Sequence, residues 1–471
     1  MPDHVEYEHV SGDYLERRRL KRGAAGWVLL AGLGVSYVIS GDFAGWNFGL
    51  AQGGWGGLLI ATALMATMYT CMVFGLAELA AALPVAGAGY GFARRALGPL
   101  GGFATGVAIL IEYAIAPAAI AVFIGGYVET LGLFGLTNSW PVYLACFAIF
   151  VGVHLYGVGE ALRLMAVITG VAVAALLAFV VGMIPRFSPG RLFDLAEGGG
   201  FLPFGFAGVL GALVYGIWFF LAVEGVPLAA EEARDPRRDM PRGILAAMLV
   251  LLLFAAAILV LAPGGAGAEA LRASDNPLPA ALRAAYGGDT VLARVVNYVG
   301  LAGLVASFFS IIFAYSRQLF ALSRAGYLPR LLSRTGRRRT PYLALIVPGA
   351  IGFVLAAATR DGALLIDIAV FGAALSYVLM MVSHVVLRIR EPDLERPYRT
   401  PGGAVTTSVA LVLAVAAVVA TFVVDRLAAG ITAGIVVVAL AYFWFHSRHH
   451  LVGAAPEEEF AAIARAEEDL S

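Results

Sequence analysis

The stretch VISGDFAGWN, residues 38–47, interrupts an otherwise apolar run with Ser40, Gly41 and Asp42. A second interruption, LAVEGVP at 221–227, again sets an acid, Glu224, beside Gly225 and Pro227. Everything around them reads as bilayer. Of the 471 residues 60% are hydrophobic and 14% charged, with a mean hydropathy of +0.85. Soluble domains stay near half apolar, so a soluble fold is excluded. The net charge is zero and gives no case for a nucleic-acid partner. The two cysteines, Cys71 and Cys146, lie in apolar runs and offer neither a disulfide framework nor a metal cluster. No cofactor is expected.

A helical span needs about 20 apolar residues. Such windows fall near 24–50, 54–83, 100–131, 139–158, 162–185, 205–229, 243–263, 292–322, 342–358, 362–389, 404–424 and 428–446, twelve in all. The expected organisation is an N-terminal segment 1–23, a core 24–389, a loop 390–403, two more helices over 404–446 and a tail 447–471. The Arg-rich start has no cleavable apolar region, so the first span is expected to be retained. Arginine placement orients the chain. With the N-terminus inside, the outward loops hold Arg186, Arg191, Arg272, Arg283, Arg294, Arg360 and Arg426, seven of 32 Lys+Arg. Both termini are therefore expected on the cytoplasmic side of the inner membrane. The loop 264–290 is expected to carry a short surface helix, and the acidic tail to be a solvated end.

The two interruptions lie on spans 1 and 6, five spans apart. That is the spacing of two inverted five-helix repeats, each opening with a broken helix. Broken helices persist at membrane depth only where the freed backbone faces protein or a cavity. A binding site at mid-membrane follows.

Four strings facing the presumed cytoplasm resemble the amino acid–polyamine–organocation superfamily. They are GLAELAAALPVAGAGYGFARRALGPLGGFATG (75–106), AAEEARDPRRDMPRGI (229–244), SRQLFALSRAGYLPRLLSRTGRRRTP (316–341) and REPDLERPYRTPGG (390–403). The resemblance covers about residues 24–403 and implies the leucine-transporter-like five-plus-five fold: all-α, twelve membrane helices, broken helices 1 and 6. Within it, ISGDFAGWNFGL (39–50), LIEYAIAPAAIA (110–121) and IWFFLAVEGVPLAAEEARDP (217–236) look like the ethanolamine permease branch.

The chemistry of the breaks points the same way. A half-helix starting at a break offers unpaired N–H groups and a positive dipole end, which in amino acid carriers of this fold receives the substrate carboxylate. Asp42 is placed to fill that pocket with the protein's own carboxylate, which would favour an ammonium lacking a carboxylate. The alternative is an N-cap role for Asp42. Glu224 is expected to bind the ammonium, carry a proton or bridge freed backbone groups. Glu112 and Tyr113 lie on span 3; Tyr113 reads as a lid over the substrate and Glu112 as facing span 1 or a proton route. Of Trp218, Phe219 and Phe220 at least one should line the pocket, since an aromatic face stabilises a desolvated ammonium by on the order of 2 kcal/mol. Phe43 and Trp46 belong to the same argument.

Glu78 is expected to pair with arginines of the inward loops, and Glu231 and Glu232 to make ion pairs at the inner gate. Asp367, His154 and His384 read as packing residues. Ser307 and Ser310, in VASFFSIIF (305–313), offer hydroxyls for a sodium ion or back-bond to their own helix. Proton, sodium and the membrane potential alone all remain open as driving forces. No nucleophile or metal constellation has a defensible spacing, so the chain is not read as an enzyme. The expected function is import of ethanolamine or a close small amine, with amino acid, choline or polyamine carriage as the alternative.

Overall fold

The computed structural model describes residues 5–8, 14, 23, 25–85, 87–132, 138–196, 200–288, 290–453, 455 and 458. After a short strand β1, Tyr7–Glu8, the chain enters helix α1, Trp27–Phe43. It then forms α2 (Phe48–Ala82), α3 (Gly89–Thr130), α4 (Trp140–Tyr156), α5 (Val158–Met183) and α6 (Gly205–Trp218). A 3-10 segment, Val223–Glu232, continues α6 beyond a gap. Next come α7 (Pro236–Ala266), α8 (Ala268–Leu271), α9 (Pro277–Tyr286), α10 (Val291–Arg324), α11 (Tyr342–Thr359) and α12 (Gly362–Arg390). The chain ends in α13 (Ala404–Val424), α14 (Arg426–Phe445) and a strand β2, Leu451–Val452, parallel to β1.

Among the described residues ten helices are long and apolar enough to cross a membrane, and α1 and α4 are shorter apolar helices. Together they form the expected all-α membrane fold. Span 1 consists of α1 and the first turns of α2. The chain reverses into span 2 at Gly54, whose φ of 65° and ψ of −178° break the helix. A Cβ there would come within 2.5 Å of Pro203, and positive φ is strained for other residues. Glycine is required at this corner.

The first break lies further along than the sequence suggests. Helical structure persists through Ser40–Phe43, and the turn occupies 44–47, where Ala44 is extended and Gly45 has φ 94°. The second break falls between Trp218 and Val223, with Ala222 left-handed at φ 78°. Five spans separate the two. The loop 264–290 does carry a short helix, α9, preceded by the single turn α8, but it is packed into the molecule, with Leu278, Ala281, Leu282 and Ala285 buried.

β1–β2 pairing puts both ends of the described chain on one face, termed here the terminal face. Ion pairs hold that face shut. Ala25 N–H donates to the Glu232 carbonyl at 3.0 Å and Arg234 N–H to the Ala25 carbonyl at 2.9 Å, joining α1 to the 3-10 segment. Glu232 and Glu231 then pair with Arg317 and Arg324 of α10 at 2.9 and 2.8 Å. Glu78 holds Arg396 at 3.0 Å and accepts from Arg388 Nε at 3.0 Å and Thr400 N–H at 2.7 Å. The acidic tail departs from expectation at Glu458. This carboxylate is buried and accepts from Arg94 Nε at 2.7 Å and the Tyr327 hydroxyl at 3.0 Å. The remainder of 459–471 lies outside the described residues.

Candidate functional site

Backbone groups released by the first break are satisfied by protein. The Phe43 carbonyl accepts from the Tyr127 hydroxyl at 2.9 Å and the Ala44 carbonyl from Trp218 Nε1 at 2.8 Å. Gly45 N–H donates to Asn47 Oδ1 at 3.2 Å, while Asn47 Nδ2 donates to the carbonyls of Leu271 and Ser274 at 2.7 and 2.8 Å. Asn47, which the sequence reading passed over, thereby ties this break to the loop between α8 and α9.

Asp42 sits in the last turn before the break, not at the start of the half-helix after it. The N-cap of α2 is Asn47, and no side chain caps that end. The capping role anticipated for Asp42 is therefore absent. Its neighbour Ser40 bonds to Ser307 at 2.8 Å, and Gly41 lies against the Trp218 carbonyl. Successive helical residues diverge by about 100°, so Asp42 faces a third direction. It is fully buried, and neither carboxylate oxygen has a hydrogen-bond partner among the described residues.

The second break builds a polar chamber. Glu224 lies in the first turn of the 3-10 segment and its Oε1 accepts from the Tyr113 hydroxyl at 3.1 Å. Glu112 lies beside it, close enough for the two carboxyls to interact directly. Tyr377 of α12 and Tyr69 of α2 bond to each other at 2.8 Å and stand in the field of both acids. The Tyr37 ring flanks Gly225, which also lies near the Tyr113 hydroxyl. Glu112 and Tyr113, expected to point apart, thus converge on Glu224 from either side, and Tyr113 acts on the acid rather than as a free lid.

This chamber leaves four polar atoms without a hydrogen-bond partner among the described residues: both Glu112 oxygens, Glu224 Oε2 and the Tyr37 hydroxyl. All of these residues are buried, with Glu112 0% and Glu224 4% exposed. Three of the four atoms are carboxylate acceptors. Unpaired acids in a bilayer core are costly by at least about 2.5 kcal/mol each on insertion scales, and buried polar atoms ordinarily find partners. Either a proton held between the two carboxyls or an added donor or cation meets these oxygens.

The aromatic run divides its work. Trp218 seals the first break and meets Phe123 edge-on at 6.3 Å. Phe219 stacks on Trp46 at 5.7 Å, and Phe220 tilts against Tyr69 at 5.5 Å, on the edge of the acid chamber. Tyr37, Val38, Ser40, Trp218, Leu221 and Ile311 line a gap between the two breaks that is too small for a water molecule.

Ser307 and Ser310 face span 1. Ser307 donates to the Tyr37 carbonyl at 2.6 Å; Ser310 pairs with Ser36 and donates to the Ala306 carbonyl of its own helix at 2.7 Å. The hydroxyls staple α10 to α1. No cluster of three or more His, Cys, Asp or Glu suited to a metal occurs among the described residues. His154 Nδ1–H donates to the Phe150 carbonyl at 2.8 Å, and His384 Nδ1 pairs with the Thr407 hydroxyl at 2.9 Å.

Comparison with known proteins agrees with this architecture. The family described as amino acid permease matches residues 26–446. An uncharacterized transporter of Rhizobium meliloti (strain 1021) is 31% identical, over 89% of this chain and 90% of its own. The branched-chain amino acid permease BcaP of Bacillus subtilis (strain 168) is 26% identical, over 75% and 78%. The aromatic amino acid transport protein AroP of Salmonella typhimurium (strain SL1344) is 25% identical, over 70% and 74%. The chain belongs to the amino acid permease family, and it is a membrane transporter rather than an enzyme.

Proposed function

We propose that the protein imports ethanolamine or a close small primary amine by alternating access, and that Glu224 and Glu112 hold the ammonium. The observation that carries this is the set of orphaned carboxylate oxygens around the second break. A primary ammonium brings three N–H donors and no acceptor, and three acceptors await them. Phe220 and Tyr69 supply an apolar, aromatic wall for the short carbon chain. A substrate carboxylate finds less. The Gly45 N–H at the first break is already taken by Asn47.

The pair also suits a proton as co-ion. Two adjacent buried carboxyls do not readily ionise together, so a proton occupies the pair whenever the amine does not. The hydroxyls of Ser307 and Ser310 donate to carbonyls of the protein, and the proton assignment rests on the carboxyl pair. Orientation with the terminal face in the cytoplasm follows from the arginine distribution.

The relatives favour a second reading, since BcaP and AroP are named for amino acids. Competition for uptake into proteoliposomes separates the two. Labelled ethanolamine should be displaced by unlabelled ethanolamine at concentrations where alanine, leucine and phenylalanine do nothing. Stronger displacement by any of the amino acids would overturn the amine assignment.

A further inference from the structure

Chain ends are poorly ordered unless something ties them down. Here the residues after α14 are tied by a carboxylate. Glu458 is 2% exposed. Its oxygens accept from Arg94 Nε at 2.7 and 2.8 Å and from the hydroxyls of Tyr327 at 3.0 Å, Tyr7 at 3.3 Å and Tyr90 at 3.5 Å. Arg94 lies in the second turn of α3, Tyr327 just after α10, and Tyr7 on β1. The Tyr327 ring is held edge-on against Tyr90 at 5.5 Å and stacked on Phe103 at 5.8 Å. A guanidinium and three phenol hydroxyls converging from separate elements form a built socket for a carboxylate. The chain's own tail fills it.

Between α14 and that socket the tail grips two other parts of the terminal face. One is the end of α10. Val452 N–H donates to the Ala325 carbonyl at 3.0 Å, and the Ser447 hydroxyl to the Tyr327 carbonyl at 2.7 Å. Gly326, at φ 90°, lets the His450 carbonyl lie directly against the backbone, where a Cβ would collide with it. α10 carries Arg317 and Arg324, the partners of Glu232 and Glu231 in the ion pairs of this face. The other part is the N-terminal segment. β2 pairs with β1, Glu6 N–H donates to the Arg448 carbonyl at 2.8 Å, and Arg330 joins Glu8 at 2.7 Å to the His450 carbonyl at 3.2 Å. Further along that segment the Tyr14 hydroxyl donates to the Arg324 carbonyl at 2.7 Å, and Ala25 bonds to the 3-10 segment just before α1. α1 and the 3-10 segment part from α10 only if these ties slacken.

We propose that the tail is a latch: seated by Glu458 in the Arg94 socket, it straps the N-terminal segment to the end of α10 and keeps the terminal face closed until it is released. Leu451, Val452 and Ala455 are fully buried, so the tail packs as an element of the fold, yet its seat depends on one charge. Loss of that charge weakens the hold on Tyr7 and, through β1, on the segment that leads into α1. The inference applies to any cargo and does not rest on the amine reading.

Amide hydrogen exchange of the purified full-length protein tests it, because exchange reports opening region by region. In Glu458→Gln, which keeps the shape and removes the charge, the amides of Val452 and Glu6 should exchange at least tenfold faster than in wild type. The amides of Ala25 and Arg234, which join α1 to the 3-10 segment, should quicken severalfold with them. Tyr7→Phe removes one hydroxyl from the socket and leaves the charge, and it should give the same pattern to a smaller degree. In both variants α13 should exchange as in wild type. Quickening confined to the tail would show that it only packs there, quickening that extends to α13 would show general loss of stability, and unchanged exchange would show that the charge holds nothing; each result would overturn the proposal.

Discussion

Asp42 ends the half-helix before the first break, and Glu224 opens the segment after the second. Both are buried acids beside glycines, yet their surroundings differ. At the first break the released backbone groups are met by Tyr127, Trp218 and Asn47, and the Asp42 carboxylate has no hydrogen-bond partner among the described residues. At the second, Glu224 is approached by Tyr113 and Glu112, and polar atoms are left over. A break in a membrane helix is not by itself a binding site. One of these two is a joint whose released backbone groups the protein satisfies, although the Asp42 carboxylate and Trp46 Nε1 stay without partners among the described residues; the other gathers two acids and a tyrosine into one chamber.

Substitutions can break or sharpen that contrast. The largest effect is expected of Glu224→Gln. A hydrogen bond to a charged group contributes about 1.5–3 kcal/mol, so amine affinity should fall by roughly 100-fold in equilibrium binding while the protein still inserts. Arg317→Ala removes the partner of buried Glu232 on the terminal face. Breaking such a pair destabilises by about 3–5 kcal/mol, which should appear as a clearly lowered Tm with the residual folded fraction still binding amine. Glu112→Gln keeps Glu224 ionisable and should weaken binding about tenfold, while flattening the pH dependence of uptake. An unaltered pH profile would remove the carboxyl pair from proton coupling. Asp42→Asn should change amine affinity by about threefold or less. A loss larger than that of Glu224→Gln would reverse the roles assigned to the two breaks.

The architecture was legible because its signals are additive. Twelve apolar windows and the five-span spacing of two Gly-acid interruptions each survive errors of a few residues. The site was not legible to the same degree. SGD marked the first break within a few residues, but on a helix a shift of three residues turns a side chain through most of a turn. Asp42 therefore changes from a group facing the outer half-helix to one in the last turn of the inner half. Glu112 and Tyr113 seemed incompatible by helical angle, because only tertiary structure shows a third group, Glu224, lying between them. Tyr69, Tyr377 and Asn47 carry no local signal. They gain meaning only from α2 and α12 meeting, and from the loop after α8 reaching over the first break.

The most direct test is equilibrium binding of labelled ethanolamine to purified protein, in wild type and in Glu224→Gln, with alanine as competitor. The account predicts saturable binding by wild type, insensitivity to alanine, and near-complete loss in Glu224→Gln. Wild-type affinity retained in that variant, or ethanolamine displaced by alanine, would contradict it.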